Sequence, residues 1–236
     1  HAGAEFRLEL AETLVCKNSL VSSCGFDPYI GTAIKEFQLP KPDNAAKCTR
    51  LFDSVDICAW AELPGWYIGE GNSTYNEVTQ QYHVKITQSS TANPANCKQI
   101  TNLLNSLPFT WHYRDRNFAL STKQLAAYFK QFGNSPERYI PTECFDWPLN
   151  ARVRLFDSLM KGEGRKNRRG ERTCFCTSSH KLALDFQLLA FTLGYSSRIV
   201  FEPDDRLQSN TGGCWIVHVH KWNTHQLLYN RKGKSD

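Results

Sequence analysis

Apolar and polar positions along this chain follow two periods. Residues 53–69 (DSVDICAWAELPGWYIG) carry apolar side chains at helical spacing, with Asp53 or Ser54 placed to cap. QYHVKITQS (81–89) alternates as a half-buried strand does. Residues 96–106 predict a helix, 109–121 a hairpin turning near Asp115, and 122–133 a helix closed by Gly133. The order then recurs. Asp146 is placed to cap a helix with Pro148 in its first turn, running to about Gly162. A strand at 171–179, a helix at 180–194 closed by Gly194, strands at 198–203 and 214–222, and a short helix at 223–230 follow. Upstream, 5–15 and 28–37 read as helices and 38–46 (QLPKPDNAA) as a linker. The unit helix–strands–helix–strands–helix thus occurs twice, a repeat of roughly 90 residues.

The helices that open the two units end alike: Leu63-Pro64-Gly65-Trp66-Tyr67-Ile68-Gly69-Glu70-Gly71 and Phe156-Asp157-Ser158-Leu159-Met160-Lys161-Gly162-Glu163-Gly164. Small residues stand four apart in each, Gly65 with Gly69 and Ser158 with Gly162, so each pair shares one helix face. Two such faces can approach until the backbones nearly touch. Each helix finishes in Gly-Glu-Gly, which brings Glu70 and Glu163 together at one end of the seam. Two carboxylates backed by the negative ends of two helices repel, and a divalent cation relieves them. Oxygen-only ligands suit Mg²⁺. Pro64 is out of place in a helix interior: it predicts a kink and a freed carbonyl at Trp60.

Composition narrows the class. With 236 residues, 41% of them hydrophobic and 22% charged, the chain has material for one or two packed domains and is too apolar for disorder. No apolar run approaches the ~20 residues that span a bilayer, and HAGAEFRLEL does not read as a signal peptide. Net charge is +5, and residues 1–60 carry more acidic than basic side chains, so the excess lies beyond them. Its densest stretch is KGEGRKNRRGER (161–172), with a second cluster at Arg231, Lys232 and Lys234, both suited to phosphate contact. The nine cysteines form no CxxC pair and no standard zinc spacing. They predict free thiols in a reducing, intracellular compartment.

On its two Gly-x-x-x-Gly-Glu-Gly-like strings, and on KITQSS after the first and FCTSSHKLALDFQLLAFTLGY after the second, the chain resembles the LAGLIDADG homing endonucleases. The likeness is to their single-chain, two-motif form, particularly the intein-encoded branch, and covers roughly residues 55–230. It implies an α+β fold of two pseudo-symmetric αββαββα repeats, with paired LAGLIDADG helices at the interface and a saddle of antiparallel sheets. It divides the chain into an N-terminal extension (1–50), a first repeat (51–141) and a second (142–236). The extension is either a DNA-binding arm or a splicing-domain remnant. The implied activity is a double-strand break in a long DNA target by Mg²⁺-dependent phosphodiester hydrolysis (Mn²⁺ substituting), leaving 3′ overhangs. The implied enzyme is a monomer that binds double-stranded DNA and no membrane.

The resemblance also implies roles. Glu70 and Glu163 would bind metal, with Gly69 and Gly162 beside them. Gln88, and Thr177 or Ser178 in the second repeat, would hold the attacking water. Lys123 and Lys221, as basic residues near the ends of later strands, would neutralise the scissile phosphate. Groove contacts would come from Tyr82, Lys85, His112, Arg114 and Arg116 in the first repeat. In the second they would come from Arg172, Arg198, Trp215, His218 and His220, with Lys166, Arg168 and Arg169 positioning the backbone. A non-cleaving nucleic-acid binder of the same fold, an RNA maturase or a DNA-binding regulator, is the alternative. A chain running from His1 to Lys234-Ser235-Asp236 carries no splicing nucleophile or terminal His-Asn, so self-splicing of this sequence is not expected.

Overall fold

The structure is a computed structural model describing residues 28–42, 50–76, 78–166, 172–203 and 212–221. Its first long element is α1 (Ile57–Glu70). The Asp56 carboxylate accepts from the amides of Cys58 (3.0 Å) and Ala59 (2.9 Å) and so caps it. The cap is Asp56 rather than Asp53 or Ser54 because β2 (Ser54–Asp56), paired with β1 (Glu36–Gln38), carries the chain to Asp56 before the helix begins at Ile57. The kink expected at Pro64 does not end the helix, which continues through this buried proline to Glu70.

After α1 come β3 (Gly71–Asn76), β4 (Gln81–Thr87), α2 (Pro94–Ser106), β5 (Trp111–Arg114), β6 (Asn117–Leu120) and α3 (Lys123–Phe129). The strands form an antiparallel sheet in the order β3-β4-β6-β5. Asp115 and Arg116 take φ of 50° and 64°, the left-handed pair that a two-residue hairpin turn requires. Gly133, at φ 59°, closes the turn after α3 as its sequence position predicts.

The second half repeats the plan with α4 (Leu149–Glu163), β7 (Gly164–Lys166), β8 (Arg172–Thr177), α5 (His180–Thr192), β9 (Tyr195–Pro203) and β10 (Gly213–Lys221). Its sheet order, β7-β8-β10-β9, matches the first position by position. The fold is therefore α+β, two helix-and-sheet halves meeting at α1 and α4. The helix expected at 223–230, like that at 5–15, lies outside the described residues. No helix among the described residues is long and apolar enough to cross a membrane.

Alternation sorts each sheet into two faces. Val84, Ile86, Phe118 and Leu120 are buried against the helices, as are Phe175, Val217 and Val219 in the second sheet. The opposite face of the first sheet carries His83, Lys85, Thr87, His112, Arg114 and Asn117. Arg198, His218 and His220 take the matching positions in the second.

Residues 28–35 are irregular, turning at Gly31 (φ 77°), not helical as Pro28 and the following periodicity predicted. They are held by partners distant in sequence, which override local preference. Tyr29 N donates to Thr192 O (3.0 Å), Thr32 N to Asp146 O (2.8 Å), and Leu149 N to Ile30 O (3.1 Å). Asp146 does not cap α4: its carboxylate accepts the Tyr29 hydroxyl at 2.7 Å. The chain then crosses to α1, where Phe37 stacks on Trp60 with ring centroids 4.5 Å apart. All these contacts lie at the N-terminal ends of α1 and α4, away from Glu70 and Glu163. Arg152 of α4, fully buried, donates from Nε to Trp147 O (2.8 Å), from Nη1 to Thr192 O (3.0 Å) and from Nη2 to Tyr29 O. Arg152→Met leaves three backbone carbonyls, that of Trp147 buried, short of a charged donor. It is expected to lower stability by roughly 3 kcal/mol or more, read as a lower urea midpoint at unchanged slope.

Candidate functional site

The site forms where α1 and α4 cross. A Cβ on Gly65 would overlap Ser158 Oγ and stand 2.9 Å from Leu155 O, so the helices meet there at glycine distance. One turn further on, a Cβ on Gly69 would lie 3.6 Å from Gly162 Cα and 3.4 Å from Glu163 Cγ. One on Gly162 would lie 3.7 Å from both Gly69 Cα and Glu70 Cγ. The stems of Glu70 and Glu163 therefore flank the crossing symmetrically. The two small-residue contacts of the seam, Gly65 with Ser158 and Gly69 with Gly162, are not equivalent, although their spacing in sequence is the same. Only Gly65 is sterically obligatory, whereas Gly69 and Gly162 leave ordinary contact room.

Burial pushes the Glu163 carboxyl up to about 7, and the Glu70 charge adds to the rise. Burial also raises Glu70, partly offset by the guanidinium of Arg138. A carboxyl with pKa near 7 takes up a proton on folding between pH 4.5 and 7, because its ordinary value is 4.5. The folded state binds more protons across that window, so metal-free stability falls as pH rises through it, by at most roughly 3 kcal/mol. Urea titrations with EDTA at pH 5 and pH 8 measure this. Glu163→Gln is expected to flatten the difference.

Gln88, just past β4, is fixed on every side. Its Nε2 donates to Glu70 Oε1 (3.3 Å) and its Oε1 accepts from Asn93 Nδ2 (3.2 Å). Its amide donates to Arg116 O (2.8 Å), and its carbonyl accepts the Tyr113 hydroxyl (2.9 Å). This last contact places Tyr113 on the helix side of its sheet. In the second half, Glu163 shares a cleft of about 260 Å³ with Arg138, Arg165, Thr177, Ser178 and Cys214.

Arg138 is a residue of the crossing that the sequence reading missed. It lies in the segment joining the halves, where no periodicity marks it. Its guanidinium donates to the carbonyls of Ile68, Gly69 (3.1 Å) and Gly71 at the end of α1. The available clue was a lone arginine in the short connection between α3 and α4.

Among the described residues no three His, Cys, Asp or Glu side chains gather as metal ligands. At the crossing stand the carboxylates of Glu70 and Glu163, with the Gln88 amide donating to Glu70 and the Gly69 carbonyl accepting from Arg138. The carboxylates are hard oxygens, and two acids suffice for a cation that completes its shell with water and phosphate. The residues fit Mg²⁺ or Mn²⁺ bound together with a phosphodiester. The six cysteines among the described residues are free thiols.

Several expected positions need correction. Lys123 Nζ lies 5.1 Å above the Tyr82 ring, at the outer end of β4. Six residues of strand, about 20 Å, separate Tyr82 from Gln88. Lys221 pairs with Tyr195 at the matching outer end of β10, while Trp215 pairs with Thr177 at the inner end. Neither lysine is near the carboxylates, because the strands preceding them run outward. The inner end of the β5–β6 hairpin is its turn, which carries Arg116 beside Gln88. Tyr82 and Trp215 share the parity of Val84 and Val217 and face the helices. Tyr82 packs on Tyr75 (5.2 Å), and Trp215 on His180 (4.2 Å) and Phe201 (4.8 Å). Lys85, His112, Arg114, Arg198, His218 and His220 do occupy the open faces. Lys166 and Arg172 pair across β7 and β8. Arg168 and Arg169 lie outside the described residues.

No protein-family model matches the chain, and no curated protein matches it. Among solved structures it is similar to an I-DmoI variant in complex with its target DNA nicked in the coding strand, with manganese present. The identity is 16% over 70% of this chain and 89% of that one, with a TM-score of 0.48. It is also similar to I-DmoI in complex with DNA and calcium, at 16% identity over 70% and 83% of the two chains and a TM-score of 0.45. For the homing endonuclease I-WcaI bound to its DNA recognition sequence the values are 10%, 70%, 76% and 0.40. Likeness at this level assigns neither a family nor an activity.

Proposed function

We propose that this chain is a LAGLIDADG-type homing endonuclease, making a metal-dependent double-strand break in a long DNA target. The observation that supports this best is the meeting of Glu70 and Glu163, the last residues of two repeated helices, at a glycine-tight crossing. A pair of acids forced together at the cost of raised pKa values suits cation binding beside phosphate better than it suits packing.

Glu70 and Glu163, with the carbonyls of Gly69 and Gly162, would hold Mg²⁺ or Mn²⁺. Bound there, the cation would lower the pKa of water and neutralise the attacking and leaving oxygens. Gln88 orients a water from its locked position on Glu70. Arg116, exposed at the hairpin turn beside Gln88, meets the phosphate in the role that Lys123 cannot reach. Thr177 and Ser178 line the corresponding cleft in the second half. Lys85, His112 and Arg114 on one sheet, and Arg198, His218 and His220 on the other, present donors to base edges and backbone. The finer features are a monomeric, intein-associated enzyme leaving 3′ overhangs, and they rest on the sequence resemblance.

Incubation with a library of long duplexes in Mg²⁺ or in EDTA tests the proposal. Expected is cleavage of both strands at a defined site in Mg²⁺ and none in EDTA. A wild-type protein that binds duplex but never cuts, in Mg²⁺ or Mn²⁺, overturns cleavage in favour of the non-cleaving binder. Binding itself is expected to weaken roughly 10³-fold between 50 and 200 mM salt if about six phosphates are contacted. A gel-shift series measures that slope.

A further inference from the structure

We infer that Arg138 is a positioning residue that acts as a tethered cation for the Glu70–Glu163 pair, holding the metal-free site together and setting the affinity of the incoming ion. This rests on the reading of those carboxylates as the metal-binding pair. Arg138 is 8% exposed. Its backbone carbonyl accepts the Ser179 hydroxyl at 2.6 Å, which ties it to the first turn of α5. Its guanidinium bonds the carbonyl of Gly69, the residue whose Cα faces Gly162 across the seam. It also lines the cleft that holds Glu163.

Capping alone does not account for it. The other seam helix ends with the same Gly-Glu-Gly, and there a neutral amide serves: Asn96 Nδ2 donates to Lys161 O at 3.3 Å. A guanidinium in that role at α1 brings a buried charge, and its Nε has no hydrogen-bond partner among the described residues. A buried charge is costly unless an opposite charge compensates it. The Tyr67 ring lies 5.7 Å from the guanidinium carbon, and the two carboxylates stand on its other sides: Glu163 lines the same cleft, and Glu70 follows the Gly69 carbonyl that the guanidinium binds. The same attraction works against a metal ion, because the ion enters a site whose negative charge is already partly met.

Calorimetric titration of Ca²⁺ into the full chain without DNA tests this, using wild type, Arg138→Gln and Arg138→Lys. Glutamine keeps a donor for the α1 carbonyls and removes the charge. Arg138→Gln is expected to bind Ca²⁺ about tenfold more tightly, and Arg138→Lys to stay near the wild-type affinity. A residue that only caps the helix predicts the opposite sign, since a loosened α1 end weakens the site. Unchanged or weaker binding by Arg138→Gln therefore overturns the inference. A wild type that binds no Ca²⁺ at millimolar concentration overturns the metal-site reading itself, a separate result. Should Arg138→Gln fail to fold, wild type labelled with ¹⁵N-arginine decides: the Arg138 Nε resonance shifts on adding Ca²⁺, and an unmoved resonance overturns the inference.

Discussion

Glu163→Gln and Glu70→Gln are each expected to abolish strand cleavage while leaving DNA binding intact. A bound cation contributes several kcal/mol of charge stabilisation, and each 1.36 kcal/mol is a decade in rate, so the loss is roughly 10³-fold or more. Glutamine keeps the side-chain stem that stands against the opposite glycine, so the seam is undisturbed. It also removes a buried carboxylate whose ionised form is disfavoured, so the metal-free variant is expected to be more stable than wild type at pH 8. Lost activity in a stabilised protein cannot be put down to unfolding. In Glu70→Gln the amide oxygen still accepts from Gln88, which keeps that residue in place. Single-turnover cleavage of the identified target measures both variants. A rate within tenfold of wild type for either would remove the paired-carboxylate mechanism.

Gly65→Leu is expected to prevent stable folding. Even the first carbon of a side chain overlaps Ser158 Oγ and comes within 2.9 Å of the Leu155 carbonyl, which is backbone and cannot rotate away. Ser158 Oγ is itself held, donating to Arg154 O (2.9 Å) and Leu155 O (3.0 Å). Overpacking of this kind costs about 1–3 kcal/mol for one methyl, and more for a branched side chain driven between two helices. Gly65→Ala measures the smaller step, and combining it with Ser158→Gly is expected to restore part of the loss but not all, because the Leu155 contact remains. Gly69→Ala and Gly162→Ala are expected to fold, since their new atoms meet neighbours at 3.4–3.7 Å. Thermal or urea unfolding of this set orders the four positions. A Gly65→Leu protein with wild-type stability would show that the helices are not in contact.

What the sequence revealed depended on how local the cause was. Gly133 and Gly194 stop their helices through their own φ angles of 59° and 79°, and Asp115-Arg116 makes its turn the same way. The seam was legible because small residues recur four apart in two copies. The acids were legible because each copy ends in Gly-Glu-Gly. Alternation also held the correct face for Tyr82 and Trp215: both match the parity of neighbouring valines, which assigns them to the helix side. Alternation does not say which end of a strand points inward, and Lys123 and Lys221 were misplaced for that reason. Arg138 and the irregular run at 28–35 owe their positions to partners far along the chain. No window of sequence around either one shows those partners.

The first described segment also constrains how this protein can be made. Tyr29, Ile30 and Thr32 find their partners on residues 146–192, so this stretch has no docking place until the second half is present. A fragment ending at residue 141, or a hybrid that exchanges one half for a foreign one, breaks that clasp as well as the helical crossing. Recombining the two halves of this chain with others means moving residues 28–32 together with the half they grip, while residues 35–40 stay with the half they precede.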